Sequence, residues 1–423
     1  MSGSGTGAAA LLAGAMIVNN LIALIIAVAF SHLLGDYGAF AALVSYLTIL
    51  TVFGQAVQVA TARDGVLGQL GEGEELLDTL AGWMRALAVF TLFATVASIL
   101  LRHQIAALVG VRSQDWAAAI GIPAGCAYLA LCTLRGALQG VGDYRSVAIS
   151  LIGEQGARLI SGVLLAEVGL GIGGAYVGSL IAYVAMSIYC TDRLYAQLAG
   201  PSYHRWRWRH PATRLAGFGR HVWASAVPIA ALGVIQLLQN IDLITAKHQF
   251  SDRVASAYSV DAVAAKVLIW VAVGASYHLV PEAARRRAEG TDTRPVLVTS
   301  LLIVAVCAVP CMLIFAFGAH PLIAIVFGKR RAIATAALLP LGAAFTVLAG
   351  TYLAVQYMLA LRRTWFLIGL AAVAVAEPVL LLGAPRHPAS FATLVLVTQL
   401  AGAAVAYALA LARRPSPVLR APA

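Results

Sequence analysis

From residue 8 to residue 412 the chain alternates between apolar runs of about 20 residues and short connections punctuated by Gly, Pro, Arg and Asp. A helix needs about 20 apolar residues to cross roughly 30 Å of hydrocarbon, so each run has the length of one membrane span. The pattern predicts twelve helices, at 8–32, 38–60, 81–101, 116–139, 147–167, 171–191, 217–246, 255–281, 296–317, 333–360, 364–383 and 389–412. Met1 to Ala10 contains no Lys or Arg, so the first run reads as a retained helix and not as a cleaved signal.

Composition agrees with this reading. The chain is 61% hydrophobic and 11% charged, with a mean hydropathy of +0.86, and no large soluble domain fits. Its net charge of +11 could suggest nucleic acid, but 27 of the 29 Lys and Arg residues lie in connections or near helix ends. With both termini cytoplasmic, 19 of these fall on the inner side and eight on the outer, which is the bias that topology demands and gives no reason to expect nucleic acid. Arg158 and Lys266 are the two left inside helices. All five cysteines lie in or at the ends of apolar runs and read as helix-packing residues. No metal-ligand spacing, GxxxxGK phosphate loop, HExxH or DxxD motif occurs, so neither an enzyme, a metal site nor a cofactor is expected.

The chain also repeats itself. GCAYLALCTLRGALQ (Gly125 to Gln139) aligns with GAAFTVLAGTYLAVQ (Gly342 to Gln356) at an offset of 217, and HLLGDYGAFAALVSY from His32 resembles HQFSDRVASAYSVDA from His248 at nearly the same offset. Six helices separate the copies, an even number, so the halves share one membrane orientation. The expected architecture is all-α: a lobe at 1–195, a cytoplasmic linker at 196–215, a second six-helix lobe at 216–412 and a tail at 413–423, with a central cavity between the lobes. HRWRWRH in the linker reads as an interfacial anchor. The acidic stretch from Asp64 to Asp78 reads as an amphipathic segment with a solvated face.

Ionisable groups at bilayer depth survive by facing water or a partner, so they are the candidate functional residues. Glu154 and Arg158 stand one turn apart on the fifth helix, where an internal pair is available, and Arg158 is expected to project into the cavity between the lobes. Lys266 lies at similar depth in the eighth, entering from the other side; Asp261, five residues away, falls on a different face. Glu377, followed by Pro378, reads equally as a counter-ion, a proton-coupling carboxylate or a helix-break device. Asn19 and Asn20 in the first helix occupy places related to Gln239, Asn240 and Asp242 in the seventh, either as interhelical glue or as substrate ligands. Pro228 is expected to kink the seventh helix.

LRGALQGVGDYRSVAISLIGEQGARLISGVLL and NIDLITAKHQFSDRVASAYSVDAVAAKVLIWVAVGASYHLVPEAARR resemble the fourth-to-fifth and seventh-to-eighth helix regions of polysaccharide-biosynthesis membrane proteins. These are the O-antigen-type flippases of the multidrug/oligosaccharidyl-lipid/polysaccharide (MOP) exporter superfamily. The resemblance implies an alternating-access exporter of a lipid-pyrophosphate-linked glycan in the bacterial inner membrane. Arg158 and Lys266 would hold the anionic headgroup, Arg135 and Arg145 would stand at the cytoplasmic mouth, and Glu377 or Asp261 would couple a proton or sodium ion. Membrane lipids, and a glycan polymerase or glycosyltransferases, are the implied partners. Twelve helices instead of fourteen depart from the lipid II flippases. The absence of a carboxylate beside Asn19 and Asn20 departs from proton-coupled multidrug exporters; a multidrug or small-cation antiporter is the alternative.

Overall fold

The computed structural model describes residues 3–199, 217–219, 221–223, 225–361 and 363–411, and every regular element among them is helical. Twelve long helices follow one another: α1 (Gly3–Leu33), α2 (Tyr37–Val66), α3 (Glu74–Leu100), α4 (Asp115–Gly140), α5 (Tyr144–Leu165), α6 (Gly171–Leu198), α7 (Ala226–Gln249), α8 (Asp252–Ala288), α9 (Arg294–Phe317), α10 (Leu338–Ala360), α11 (Phe366–Leu382) and α12 (Pro388–Leu411). Ten segments are long and apolar enough to span a membrane; one of them, Tyr144–Leu198, contains both α5 and α6, and the 17-residue α11 completes the twelve.

Local chemistry fixes several boundaries. Asp36 caps α2 by accepting from the Ala39 amide at 3.0 Å, and Asp143 caps α5 by accepting from that of Ser146 at 3.0 Å. α3 starts seven residues before the expected 81 because Glu74 and Glu75 suit the positive end of its dipole. Two short helices, Arg102–Val109 and Ala319–Val326, were not expected; each follows the third long helix of its half. The seventh helix also begins later than the predicted 217. Residues 217–219 and 221–223 are helical, a turn intervenes at Ser225, and α7 starts at Ala226. Pro228 therefore sits in the first turn of α7, where its missing N–H costs no intrahelical bond, and it does not kink the helix. The HRWRWRH stretch and the tail lie outside the described residues.

Packing repeats with a period of six helices. In the first half α2 lies on α4, α4 on α6, α5 on α6, α1 on α5 and α3 on α4; in the second, α8 lies on α10, α10 on α12, α11 on α12, α7 on α11 and α9 on α10. The halves meet where α2 packs against α7 and α8, and α1 against α8. An even number of crossings brings α1 and α12 to the same side, here called the terminal face.

At the opposite face the lobes are fastened together. Lys247 at the end of α7 donates to Asp36 of the first lobe and Asp252 of its own, both at 2.6 Å. Arg331 donates to the Ser31 and Leu34 carbonyls at 3.0 and 2.8 Å, satisfying acceptors that α1 leaves open at its end. His248 bonds the Leu108 carbonyl at 2.9 Å, and the Gly38 amide donates to Ser256 Oγ at 2.9 Å. At the terminal face a tie runs through His221, whose Nδ1 stands 3.1 Å from Asp64 and Nε2 3.1 Å from Thr61 Oγ1, with the ring 4.9 Å from that of Trp83. Asp64, expected on a solvated loop, thus belongs to α2 and anchors the segment that leads into α7.

Two predictions follow from this packing. A Cβ on Gly136 of α4 would lie 2.6 Å from the Gln58 carbonyl oxygen and 2.8 Å from Thr61 Cβ, so Gly136→Ala must push α4 off α2. It should cost about 1–3 kcal/mol, read as a lowered melting temperature in detergent. Burial pushes the His221 pKa below its ordinary value of about 6.5, outweighing the Asp64 carboxylate; nearby Arg63 acts in the same direction as burial. Docking of residues 217–223 should therefore be complete above about pH 6.5 and weaken as pH falls through the lower folded value. Hydrogen exchange of that segment checks this, and His221→Gln should remove the dependence.

Candidate functional site

Each lobe encloses one cluster of ionisable groups. In the first, Arg135 of α4 is 1% exposed; its Nη1 donates to Glu154 Oε2 at 2.8 Å, its Nε to Ser150 Oγ at 2.7 Å and its Nη2 to the Ser150 carbonyl at 2.6 Å. The other oxygen of Glu154 accepts from Arg158 Nη2 at 3.4 Å, and the same Nη2 donates to Tyr183 Oη of α6 at 2.6 Å. The Arg158 guanidinium lies over the Tyr183 ring at 5.3 Å, and that ring meets Tyr128 of α4 edge-on at 4.9 Å. One carboxylate is thus shared between two guanidiniums: Arg135 ties α4 to α5, and Arg158 ties α5 to α6.

Two expectations change here. Arg135, expected at the cytoplasmic mouth, is sealed between α4 and α5, because Ser150 and Glu154 present acceptors one turn apart on the facing helix. Arg158, expected to reach between the lobes, turns toward α6 of its own lobe, drawn by the Tyr183 hydroxyl. Its Nε remains buried without an acceptor among the described residues, and Gln155 Oε1 and Tyr176 Oη are likewise buried without a hydrogen-bond partner. Arg145 stands apart, exposed in the first turn of α5 at the terminal face.

The second cluster is richer in carboxylates. Lys266 Nζ of α8 lies 3.8 Å from Asp242 Oδ1 of α7 and donates to Asn240 Oδ1 at 3.3 Å; the ammonium is 5.4 Å from the Phe345 ring. Asn240 Nδ2 in turn donates to the Gln236 carbonyl at 2.9 Å. Tyr258 donates to Asp242 Oδ2 at 3.4 Å. Glu377 of α11 is fully buried and receives Gln399 Nε2 of α12 on both oxygens at 3.2 Å; that amide also reaches the Leu238 carbonyl of α7 at 3.1 Å. Asp261 is fully buried with neither oxygen bonded among the described residues. Sequence spacing had set Asp261 apart from Lys266, and the partners of Lys266 are on α7 instead. Asn19 and Asn20 bond each other at 3.3 Å on α1 and join neither cluster in the described contacts.

Each cation is 14 residues along its helix, about 21 Å by rise, and the two helices start from opposite faces. Of the groups that complete the clusters, Gln399 carried a signal in sequence, being the single amide in an otherwise apolar and small-residue run; Tyr183, Tyr128, Ser150 and Tyr258 did not, since such residues recur throughout the spans.

No family model matches the chain, and no curated protein matches it in sequence. Solved structures do share its fold. The lipid II flippase MurJ in an inward closed conformation superposes with a TM-score of 0.73 at 15% identity, covering 94% of this chain and 87% of that one. The eukaryotic MATE transporter AtDTX14 gives 0.65 at 16% identity over 96% and 94%, and an inward-facing multidrug resistance MATE family transporter of the MOP superfamily gives 0.62 at 13% over 95% and 97%. The chain is a multi-pass membrane protein with the fold of these transporters.

The geometry separates scaffold from movable group. Arg135→Ala leaves Glu154 buried beside the weaker of its two partners and should cost about 3–5 kcal/mol of stability. Arg158→Ala, which leaves Glu154 paired with Arg135, should cost less than half as much. Melting curves of both purified variants check the order, and equal losses would make both arginines structural.

Proposed function

We propose that the protein is a MOP-superfamily transporter that flips a lipid-(pyro)phosphate-linked saccharide across the bacterial inner membrane by alternating access, with its termini cytoplasmic. The observation that carries this reading is the first-lobe cluster: two guanidiniums share one carboxylate, and Arg158 keeps a buried Nε–H with no acceptor among the described residues. A phosphate oxygen supplies the missing acceptor, and the planar fork of Arg engages two such oxygens at once. Arg158 leaves Glu154 easily, at 3.4 Å, whereas Arg135 holds the carboxylate at 2.8 Å and keeps it compensated. Lys266 is the second headgroup cation, Arg145 marks the cytoplasmic mouth, and the amides Asn19, Asn20 and Asn240 offer hydrogen bonds to sugar hydroxyls.

Coupling falls to the second lobe. Asp242 beside the Lys266 ammonium, Glu377 under Gln399 and the unbonded Asp261 give this lobe three buried carboxylates to one ammonium, a set suited to binding a proton or sodium ion whose release would accompany the change of access. The same carboxylate excess supports the second reading, a multidrug or small-cation antiporter. Glycosyltransferases or a glycan polymerase are the expected partners of the first reading only.

Reconstituted protein should accelerate translocation of a fluorescent polyprenyl-pyrophosphate sugar and leave a cationic dye unmoved; the reverse preference would replace the flippase by the antiporter. Within the flippase, Arg158→Ala should abolish translocation with the fold intact, and Arg158→Lys should retain part of it. Glu154→Gln should bind the anionic substrate more tightly and release it more slowly.

A further inference from the structure

The two lobes repeat each other's packing, with one departure. In the second lobe α9 packs on both α8 and α10; in the first, its counterpart α3 lies on α4 and scarcely touches α2. The fold can therefore close this seam, and in the first lobe it does not. What remains is a groove of about 590 Å³ between α2, α3 and α4. Its walls are Leu50 and Phe53 of α2, Ala86 and Phe90 of α3, and Gly125 and Leu129 of α4, with no charged side chain among the described residues.

Position gives the groove its meaning. The segment 217–223, held to α2 and α3 through His221, Asp64 and Trp83, closes one end of it with Phe218 and Trp223, and Trp223 is 81% exposed. That end is the terminal face, where an exposed indole suits the boundary between headgroups and hydrocarbon. The groove also adjoins both parts of the transport machinery. α2 forms its wall and packs against α7 and α8 across the lobe seam, and α4 forms its floor and carries Tyr128 and Arg135 on to the Arg158 cluster. A second large cavity, about 580 Å³ between α3, α4 and α6, has Arg85 and Asp192 in its lining and lacks this wholly apolar character.

We infer that the α2–α3–α4 groove is the seat of the polyprenyl chain of the lipid-linked saccharide, holding the carrier's tail in the cytoplasmic leaflet while the headgroup engages the lobes. This rests on the flippase reading above. A tail lying there leaves the phosphate on the α2 side, beside the seam that must open, and lets the chain stay in hydrocarbon while the polar part crosses. Because 217–223 caps the groove and continues into α7, a seated tail touches both lobes' connecting segment and the first lobe's wall.

The test uses the full-length protein in phosphatidylethanolamine–phosphatidylglycerol vesicles and a polyprenyl phosphate that carries a diazirine on its chain and no sugar. Photolabel should concentrate on peptides containing 86–90 and 122–129, and unlabelled polyprenyl phosphate should compete while added phosphatidylglycerol does not. Ala86→Phe, which fills the groove, should lower labelling about tenfold, and Ala127→Phe, which fills the other cavity, should not. Label spread alike over α3 and α9, or displaced by phosphatidylglycerol, means that bulk acyl chains occupy the groove and overturns the inference. Label confined to the seam between α2 and α7 in a protein that still flips the saccharide overturns it and leaves the flippase reading standing. Groove labelling in a protein that moves no saccharide supports the tail seat and removes that reading.

Discussion

An ionised group in hydrocarbon without a partner costs several kcal/mol, and the interior of each lobe is arranged around that cost. In the first lobe the solution is a carboxylate with two claimants: Glu154 gives one oxygen to Arg135 and the other to Arg158. Neutrality would need only one guanidinium, so the cluster keeps a surplus positive charge at depth. Arg135 is so thoroughly bonded, through Glu154 and both Ser150 oxygens, that it behaves as a strut between α4 and α5. The surplus falls on Arg158, which rests on Tyr183 by a hydroxyl bond and a cation–π contact that are easily exchanged for a better anion.

The second lobe inverts the balance of ionisable groups, with three buried carboxylates to one ammonium. Helix packing is alike in both halves, and the two clusters differ in side chains alone, on either side of a seam formed by α2, α7 and α8. Small residues make that packing close: Gly136 against α2 and Gly178 against Gly162 leave no room for a single added methyl.

Much of this was readable from the order of residues. Twelve spans, their six-helix period and the buried positions of Glu154, Lys266 and Glu377 follow from run length, offset and the rarity of charge in apolar sequence. What the sequence withheld was direction. Spacing by four put Glu154 and Arg158 on one face of α5, but it could not show that Arg135, nineteen residues before Glu154, would take the stronger bond. Nor could it separate a helix that starts at Gly217 from a docked segment followed by α7, since Ser225 is a weak break and Pro228 is compatible with either. The short helices Arg102–Val109 and Ala319–Val326 escaped for a related reason, being continuations of apolar runs after a bend too slight to mark in composition.

The fastening at the opposite face has a lopsided construction with a thermodynamic consequence. Lys247 is held by Asp252 of its own lobe as well as by Asp36 across the seam. When the lobes part, the ammonium keeps one counter-charge, and only Asp36 is released, into water and not into lipid. Likewise the carbonyls that Arg331 gives up lie at the end of α1, where solvent can replace it. Separation at that face therefore strands no charge in a dry place, and the Asp36 it frees is open to dissolved salt, which screens charges over about 8 Å at physiological strength. In the proposed alternating-access cycle, the equilibrium between closed and open forms is thereby coupled to the ionic medium at that face, whereas the dry clusters deeper in each lobe are shielded from it.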